Sequence, residues 1–237
     1  MEYYIDSANT IAIEKLVRDF PIAGVTTNPS IINKANTELA PLLKKIRTII
    51  GDDRKIFVQT LADRPEDVLA DAEAVKETIG ENISIKVPCT ASGLHAMSLL
   101  KENGYVVTAT AVFTPQQALL AATSGADYVA PYVNRLDSIT SDGVRVVEET
   151  INLFTLTGIK SVVLAASFKN AEQVHRAMLA GCQTATIAPE LFPALINHPM
   201  TKVALEQFNN DWARVYGEEC SSVRELLSGS NRLFQKK

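Results

Sequence analysis

Residues 83–134 read ISIKVPCTASGLHAMSLLKENGYVVTATAVFTPQQALLAATSGADYVAPYVN. Three β-branched or apolar runs stand out in this stretch: Ile83 to Val87, Val106 to Val112 and Tyr128 to Val133. Between the first two, Leu94, Met97 and Leu100 keep one face at helical spacing. Between the last two, Thr114-Pro115-Gln116-Gln117 carries a helix start, with an N-cap hydroxyl, a proline at the first helical position and a glutamine at the third. Strand, helix, strand, helix, strand is the reading. Strict alternation implies a parallel sheet, because only a crossover long enough to hold a helix returns the chain to the same end of the sheet.

The pattern continues on both sides. Tyr3 to Asp6, Gly24 to Asn28 and Ile56 to Thr60 precede it, and Ser161 to Ser167 and Thr184 to Ala188 follow. The eight starts lie 21 to 33 residues apart, which accommodates a strand, a helix and two loops each time. Asn170 with Gln173 and Asp63 with Glu66 repeat the capping-box pattern, and Val68, Ala72, Val75 and Ile79 share a helical face. Eight such units close most naturally into a single (β/α)8 TIM barrel, an α/β fold of about 250 residues, against the 237 present. A doubly wound open sheet is the alternative. Against it, no GxGxxG follows the first strand and no shift in composition marks a second domain.

The barrel is expected over residues 1–198. An extra C-terminal helix follows over 199–216, with Met200, Val203, Ala204, Phe208, Trp212 and Val215 at helical spacing, and then a polar tail over 217–237. The apolar stripe of that helix suits packing on its own barrel or on a neighbouring subunit.

Composition narrows the function. With 46% hydrophobic and 21% charged residues the chain can bury a sizeable core. Lys plus Arg number 23 against 27 Asp plus Glu, and no basic stretch occurs beyond Lys236 and Lys237, so a nucleic-acid groove is not expected. Cys89, Cys182 and Cys220 lack CxxC spacing and read as reduced thiols, Cys89 being a small apolar filler. His95, His175 and His198 are scattered without H-x-H or HExxH spacing, so no metal is expected, and no other cofactor is called for. MEYYIDSANT carries acids where a secretory signal carries cations, and no apolar run approaches the roughly 18 residues of a membrane span. A cytoplasmic enzyme or binding protein with no membrane partner is the expectation.

Alternate strand residues face opposite sides of a sheet. In Ile83-Ser84-Ile85-Lys86-Val87 the aliphatics share one parity, suited to the outer helices, and Ser84 and Lys86 share the other. The same sorting groups Thr26 with Asn28, Phe57 with Gln59, Thr108 with Thr110, Ala130 with Tyr132 and Asn134, and Ala165 with Ser167, while Asp6 ends the first strand. The polar members lie toward the C-terminal ends, the face where barrel enzymes keep their sites. A lysine in an apolar strand often snorkels to solvent. In a small enclosed mouth it is desolvated instead, which favours the free amine, a nucleophile that forms Schiff bases with carbonyls. Just beyond the sixth strand, Arg135 offers a guanidinium suited to phosphate. Ser167, ahead of a helix capped by Asn170, adds a hydroxyl and amide donors to the same anion.

Six stretches carry a resemblance: Asp6; Gly24-Val25-Thr26-Thr27-Asn28-Pro29-Ser30; Ile85-Lys86-Val87-Pro88; Thr110-Ala111-Val112; Ala130-Pro131-Tyr132-Val133-Asn134-Arg135; and Leu164-Ala165-Ala166-Ser167-Phe168-Lys169. In order and spacing over about residues 1–216 they resemble the small-subunit transaldolase family, within it most of all its fructose-6-phosphate-cleaving aldolases. The resemblance implies a class I mechanism with Lys86 as the Schiff-base residue and Asp6 in proton transfer and orientation. It implies that Gln59, Thr110 and Tyr132 hold a proton-shuttling water, that Asn28 binds a hydroxyl of the dihydroxyacetone part, and that Arg135 with Ser167 holds the phosphate of a sugar-phosphate substrate. Thr26, Phe57 and Ala130 complete the expected substrate-binding set. The family's transaldolases usually carry Glu at the position of Gln59 and Phe at that of Tyr132, whereas its aldolases look like the present pair. Reversible cleavage of fructose 6-phosphate to dihydroxyacetone and glyceraldehyde 3-phosphate is thus implied, with transfer of a dihydroxyacetone unit as the alternative and a non-catalytic sugar-phosphate-binding barrel as the contrasting class. A homo-oligomer, a pentamer or decamer in which the last helix reaches a neighbour, is implied as well, although the tail from Glu218 to Lys237 is longer than the family's usual one.

Overall fold

The computed structural model describes residues 1–220 and 222–227. In chain order the elements are β1 (Glu2–Asp6), α1 (Thr10–Asp19), β2 (Ile22–Thr26), α2 (Pro29–Ala35), α3 (Leu39–Ile50), β3 (Lys55–Gln59), α4 (Pro65–Ile79), β4 (Ile83–Pro88), α5 (Ala91–Glu102), β5 (Val107–Val112) and α6 (Pro115–Thr123). They continue with β6 (Tyr128–Pro131), α7 (Val133–Asp137), α8 (Gly143–Thr157), β7 (Val162–Ala165), α9 (Ala171–Leu179), β8 (Thr184–Ile187), a 3₁₀ turn (Pro189–Leu191), α10 (Phe192–Ile196), α11 (Pro199–Tyr216) and α12 (Val223–Leu227). The eight strands form a closed parallel barrel in sequence order, with β8 pairing back to β1 through Ile5↔Ile187 and three preceding pairs. The chain is a (β/α)8 TIM barrel followed by a C-terminal helix.

Two compact units divide between Phe192 and Pro193. The first is the barrel. In the second, α11 exposes Met200, Val203, Phe208 and Val215, and Trp212 stacks near Tyr216 while donating through Nε1 to the Cys220 carbonyl. Of the polar tail, residues 221 and 228–237 lie outside the described residues. No described helix is long and apolar enough to cross a membrane.

Local chemistry explains where the helices start. Thr114 and Gln117 form the full reciprocal box at α6, and Asn170 caps α9 by accepting from the Gln173 amide. Asp63 does not cap α4 as the sequence reading expected. The helix starts at Pro65, whose fixed φ suits the first helical position, so Arg64 stands at the N-cap without a side-chain bond and pairs instead with Glu66 and Asp67 at the surface. The long intervals after the second and sixth strands hold two helices each, α2 with α3 and α7 with α8, rather than one.

Inside the barrel the side chains are layered. Tyr4, Phe57 and Tyr128 meet edge to face, with ring centroids 5.0 and 5.3 Å apart, and Ala130, Leu164 and Ala166, which also line the cavity above, complete this apolar plug. Around it the buried hydroxyls are paired. Ser84 and Thr108 share a hydrogen at 2.7 Å, Thr110 and the Tyr132 phenol at 2.8 Å, and Thr26 bonds both Thr186 and Asp6. Such pairing lets polar side chains stay fully buried without the desolvation cost of a lone hydroxyl. On the outside, aliphatics of opposite parity meet buried helix residues such as Leu43, Ile46, Val68, Met97 and Leu100. At the N-terminal rim the Arg47 guanidinium donates to the carbonyls of Ile79, Gly51, Arg54, Glu81 and Asn82, pinning the turns that feed β3 and β4.

Candidate active site

One cavity of about 1070 Å³ opens at the C-terminal ends of the strands. Eight of the residues singled out in the sequence line it: Asp6, Asn28, Gln59, Lys86, Ala130, Tyr132, Arg135 and Ser167. Thr26 and Thr110 lie fully buried just beneath, bonded to Asp6 and to Tyr132 respectively. Phe57 is fully buried in the apolar plug and does not line the cavity.

Lys86 stands on β4 with Gln59 opposite on β3 and Thr108 opposite on β5. It is 4% exposed, and its Nζ donates to the Thr27 carbonyl at 2.8 Å. Burial lowers the pKa of its ammonium, and the negative charge of Asp6 opposes that shift. At the end of β1, Asp6 accepts from the Thr26 hydroxyl at 2.8 Å. Burial raises the pKa of its carboxyl, against the pull of Lys86 and of the Thr26 bond. Each group therefore shifts toward its neutral form. An uncharged amine facing a cavity is what attack on a keto carbon requires.

The opposite wall holds the phenol and the cation. Tyr132 is the N-cap residue of α7, its amide bonded to the Val112 carbonyl, and its ring meets Phe113 edge on at 5.5 Å. One turn later the exposed Arg135 places its guanidinium carbon 5.0 Å from the centroid of the Tyr132 ring. Arg135 thus sits on α7, the helix that follows β6. Asn28 caps α2, its side-chain oxygen accepting from the Ile31 amide at 3.0 Å.

Parity misplaces the seventh strand. Leu164 and Ala166 face the barrel interior, not Ala165 with Ser167. Ser167 still reaches the cavity because its backbone turns into the left-handed region, at φ 63°, after the strand has ended. The amides expected beside it are partly engaged, since Lys169 donates to the Gln173 side chain and Gln173 to Asn170.

Sequence reasoning missed several lining groups. Thr186 shares the parity of Thr184 on β8, and the sorting applied to the other strands finds it. Lys34 on α2 and Glu190 on the 3₁₀ turn also line the cavity, but they lie past the strand ends, where parity carries no signal. Lys169, next but one to Ser167, is exposed at the rim. Cys89 lies outside this lining. Its half-buried thiol points at the Gln117 carbonyl, and burial raises its pKa, as befits a packing residue. Among the described residues no group of three or more His, Cys, Asp or Glu side chains is arranged to hold a metal.

Compared with known families, residues 3–236 match the family described as Transaldolase/Fructose-6-phosphate aldolase.

Proposed function

The chain belongs to the transaldolase/fructose-6-phosphate aldolase family, and within it we propose a class I aldolase that cleaves fructose 6-phosphate reversibly to dihydroxyacetone and glyceraldehyde 3-phosphate. The observation that carries this reading is the buried Lys86, held at the cavity floor with its amine shifted toward the neutral form.

The neutral amine attacks the C2 ketone to give a carbinolamine, which takes up a proton and loses water to become an iminium. A water held by Gln59, Thr110 and Tyr132 removes the C4 hydroxyl proton. The electrons of the C3–C4 bond flow into the iminium, and glyceraldehyde 3-phosphate departs. The enamine left on Lys86 is protonated at C3 by the same relay, and hydrolysis of the resulting iminium frees dihydroxyacetone. Asp6 orients the nitrogen and carries protons in the carbinolamine steps, Asn28 binds a donor hydroxyl, and Arg135 with Ser167 binds the phosphate.

Gln59 favours aldolase over transaldolase. It faces Lys86 in register but has no carboxylate to act as a base, so proton delivery falls to the Tyr132 phenol, bonded to Thr110. The exposed apolar stripe of α11 is proposed as a contact between copies in a cytoplasmic homo-oligomer.

Borohydride reduction with dihydroxyacetone should fix one adduct on Lys86, absent in Lys86→Arg. Incubation with fructose 6-phosphate alone should release glyceraldehyde 3-phosphate. An adduct on another lysine overturns the site, and product that forms only when erythrose 4-phosphate is added makes the enzyme a transaldolase.

A further inference from the structure

We propose that Arg135 is a positioning residue for Tyr132, acting on proton transfer through the phenol whether or not a phosphate is present. The proposal rests on the aldolase reading above but adds to the phosphate role given to Arg135 there. Tyr132 is the N-cap of α7 and Arg135 stands three residues on, in its first turn. The guanidinium folds back over the ring, 5.0 Å from its centroid.

A phenol delivers a proton to one carbon only if its ring is fixed about both side-chain torsions. Three contacts fix this one. The hydroxyl bonds Thr110 at 2.8 Å, Phe113 meets the ring at 81°, and Arg135 covers it. Thr110 is fully buried on β5 and Phe113 directly follows that strand, so the barrel wall holds both. Arg135 is the exposed member, the contact on the solvent side. Without it the ring gains freedom toward the mouth, where water also competes for the hydroxyl.

The consequence concerns substrates without phosphate. Once dihydroxyacetone is bound to Lys86, the iminium loses a C3 proton to the relay and becomes the enamine, and a proton from the relay restores the iminium. In deuterium oxide the returning particle is a deuteron, so hydrogen at that carbon exchanges, with no redox change and no second substrate. Neither reactant nor product carries a phosphate for Arg135 to hold.

The test measures deuterium entry into dihydroxyacetone by proton NMR, expressed per mole of borohydride-trappable Lys86 adduct, in the full-length protein. Relative to the unsubstituted chain, Arg135→Met is expected to slow exchange about tenfold, and Arg135→Lys, which keeps a cation for the ring, about threefold. In a Tyr132→Phe background, Arg135→Met is expected to change the residual rate by less than about twofold, because the group it acts through is gone. An unchanged rate per adduct in Arg135→Met overturns the proposal, as does equal loss in the Met and Lys variants or a full tenfold loss on top of Tyr132→Phe. Failure of dihydroxyacetone to trap on Lys86 at all overturns the aldolase reading, and the proposal falls with it.

Discussion

The Nζ of Lys86 donates to the backbone carbonyl of Thr27 at 2.8 Å, so the lysine of the fourth strand is anchored just past the end of the second. A carboxylate in that place would keep the proton on the nitrogen. A carbonyl carries a dipole and no net charge, so it aims the nitrogen while favouring the ammonium far less than a carboxylate would. Charge reaches Lys86 through Asp6 instead, and the pH behaviour of the site follows from that division.

Because the Asp6 charge raises the Lys86 pKa while burial lowers it, Asp6→Asn leaves burial unopposed. The amine then stays neutral to lower pH. The acid limb of adduct formation, followed as the rate of borohydride trapping with dihydroxyacetone against pH, is expected to move down in Asp6→Asn. Movement of that limb to higher pH refutes the coupling.

A desolvated amine is also a cost to the fold. Its folded pKa lies below the unfolded value of about 10.4, so between the two the unfolded chain binds a proton that the fold releases, and stability rises with pH across that window. The cost is greatest below the folded value and vanishes above the unfolded one. Lys86→Met is therefore expected to be more stable than the parent in urea unfolding at pH 7, with the gain shrinking as pH approaches 10. A variant less stable than the parent at pH 7 contradicts this account.

Ser167 holds a left-handed backbone, φ 63°, that costs a residue with a Cβ about 1 kcal/mol. Ser167→Gly relieves that strain and deletes the hydroxyl assigned to the phosphate. Thermal stability is expected to hold or rise slightly, while KM for glyceraldehyde 3-phosphate in the synthetic direction rises about tenfold and that for unphosphorylated glyceraldehyde does not. Equal changes for the two aldehydes count against Ser167 as a phosphate ligand.

At Gly143 an added Cβ falls 2.3 Å from the Val133 carbonyl oxygen and 2.6 Å from its Cα. The first turn of α8 therefore sits directly against α7, the helix bearing Arg135. Gly143→Ala has to push α7 aside, at a cost of about 2 kcal/mol, and should raise KM for phosphorylated aldehydes with it. A wild-type melting temperature would show that α7 yields freely.

The barrel was legible because alternation of strand and helix is a long-range pattern that survives errors at element ends. Lys86 was legible because a lysine breaks an otherwise apolar strand. Ser167 shows where parity stops: it reaches the cavity through one left-handed residue beyond a four-residue strand, and no alternation rule reports that turn. Phe57 shows the converse, since it has the inward parity of Gln59 but lies one layer lower, and parity assigns a face without a depth. The groups of α2 and of the turn after β8, Lys34 and Glu190, come from segments that periodicity does not place in space.

The rings of Tyr4, Phe57 and Tyr128 stopper the barrel from below, and the chamber above them opens at the C-terminal ends of the strands. Under the proposed chemistry the two halves of a hexose must queue there. The aldehyde nearest the exit leaves first, and the three-carbon fragment behind it escapes loss meanwhile because it is covalently moored. An aldehyde arriving early, before a ketone is attached, would stand between the mouth and Lys86. Excess aldehyde should therefore throttle synthesis, as traffic does in a cul-de-sac.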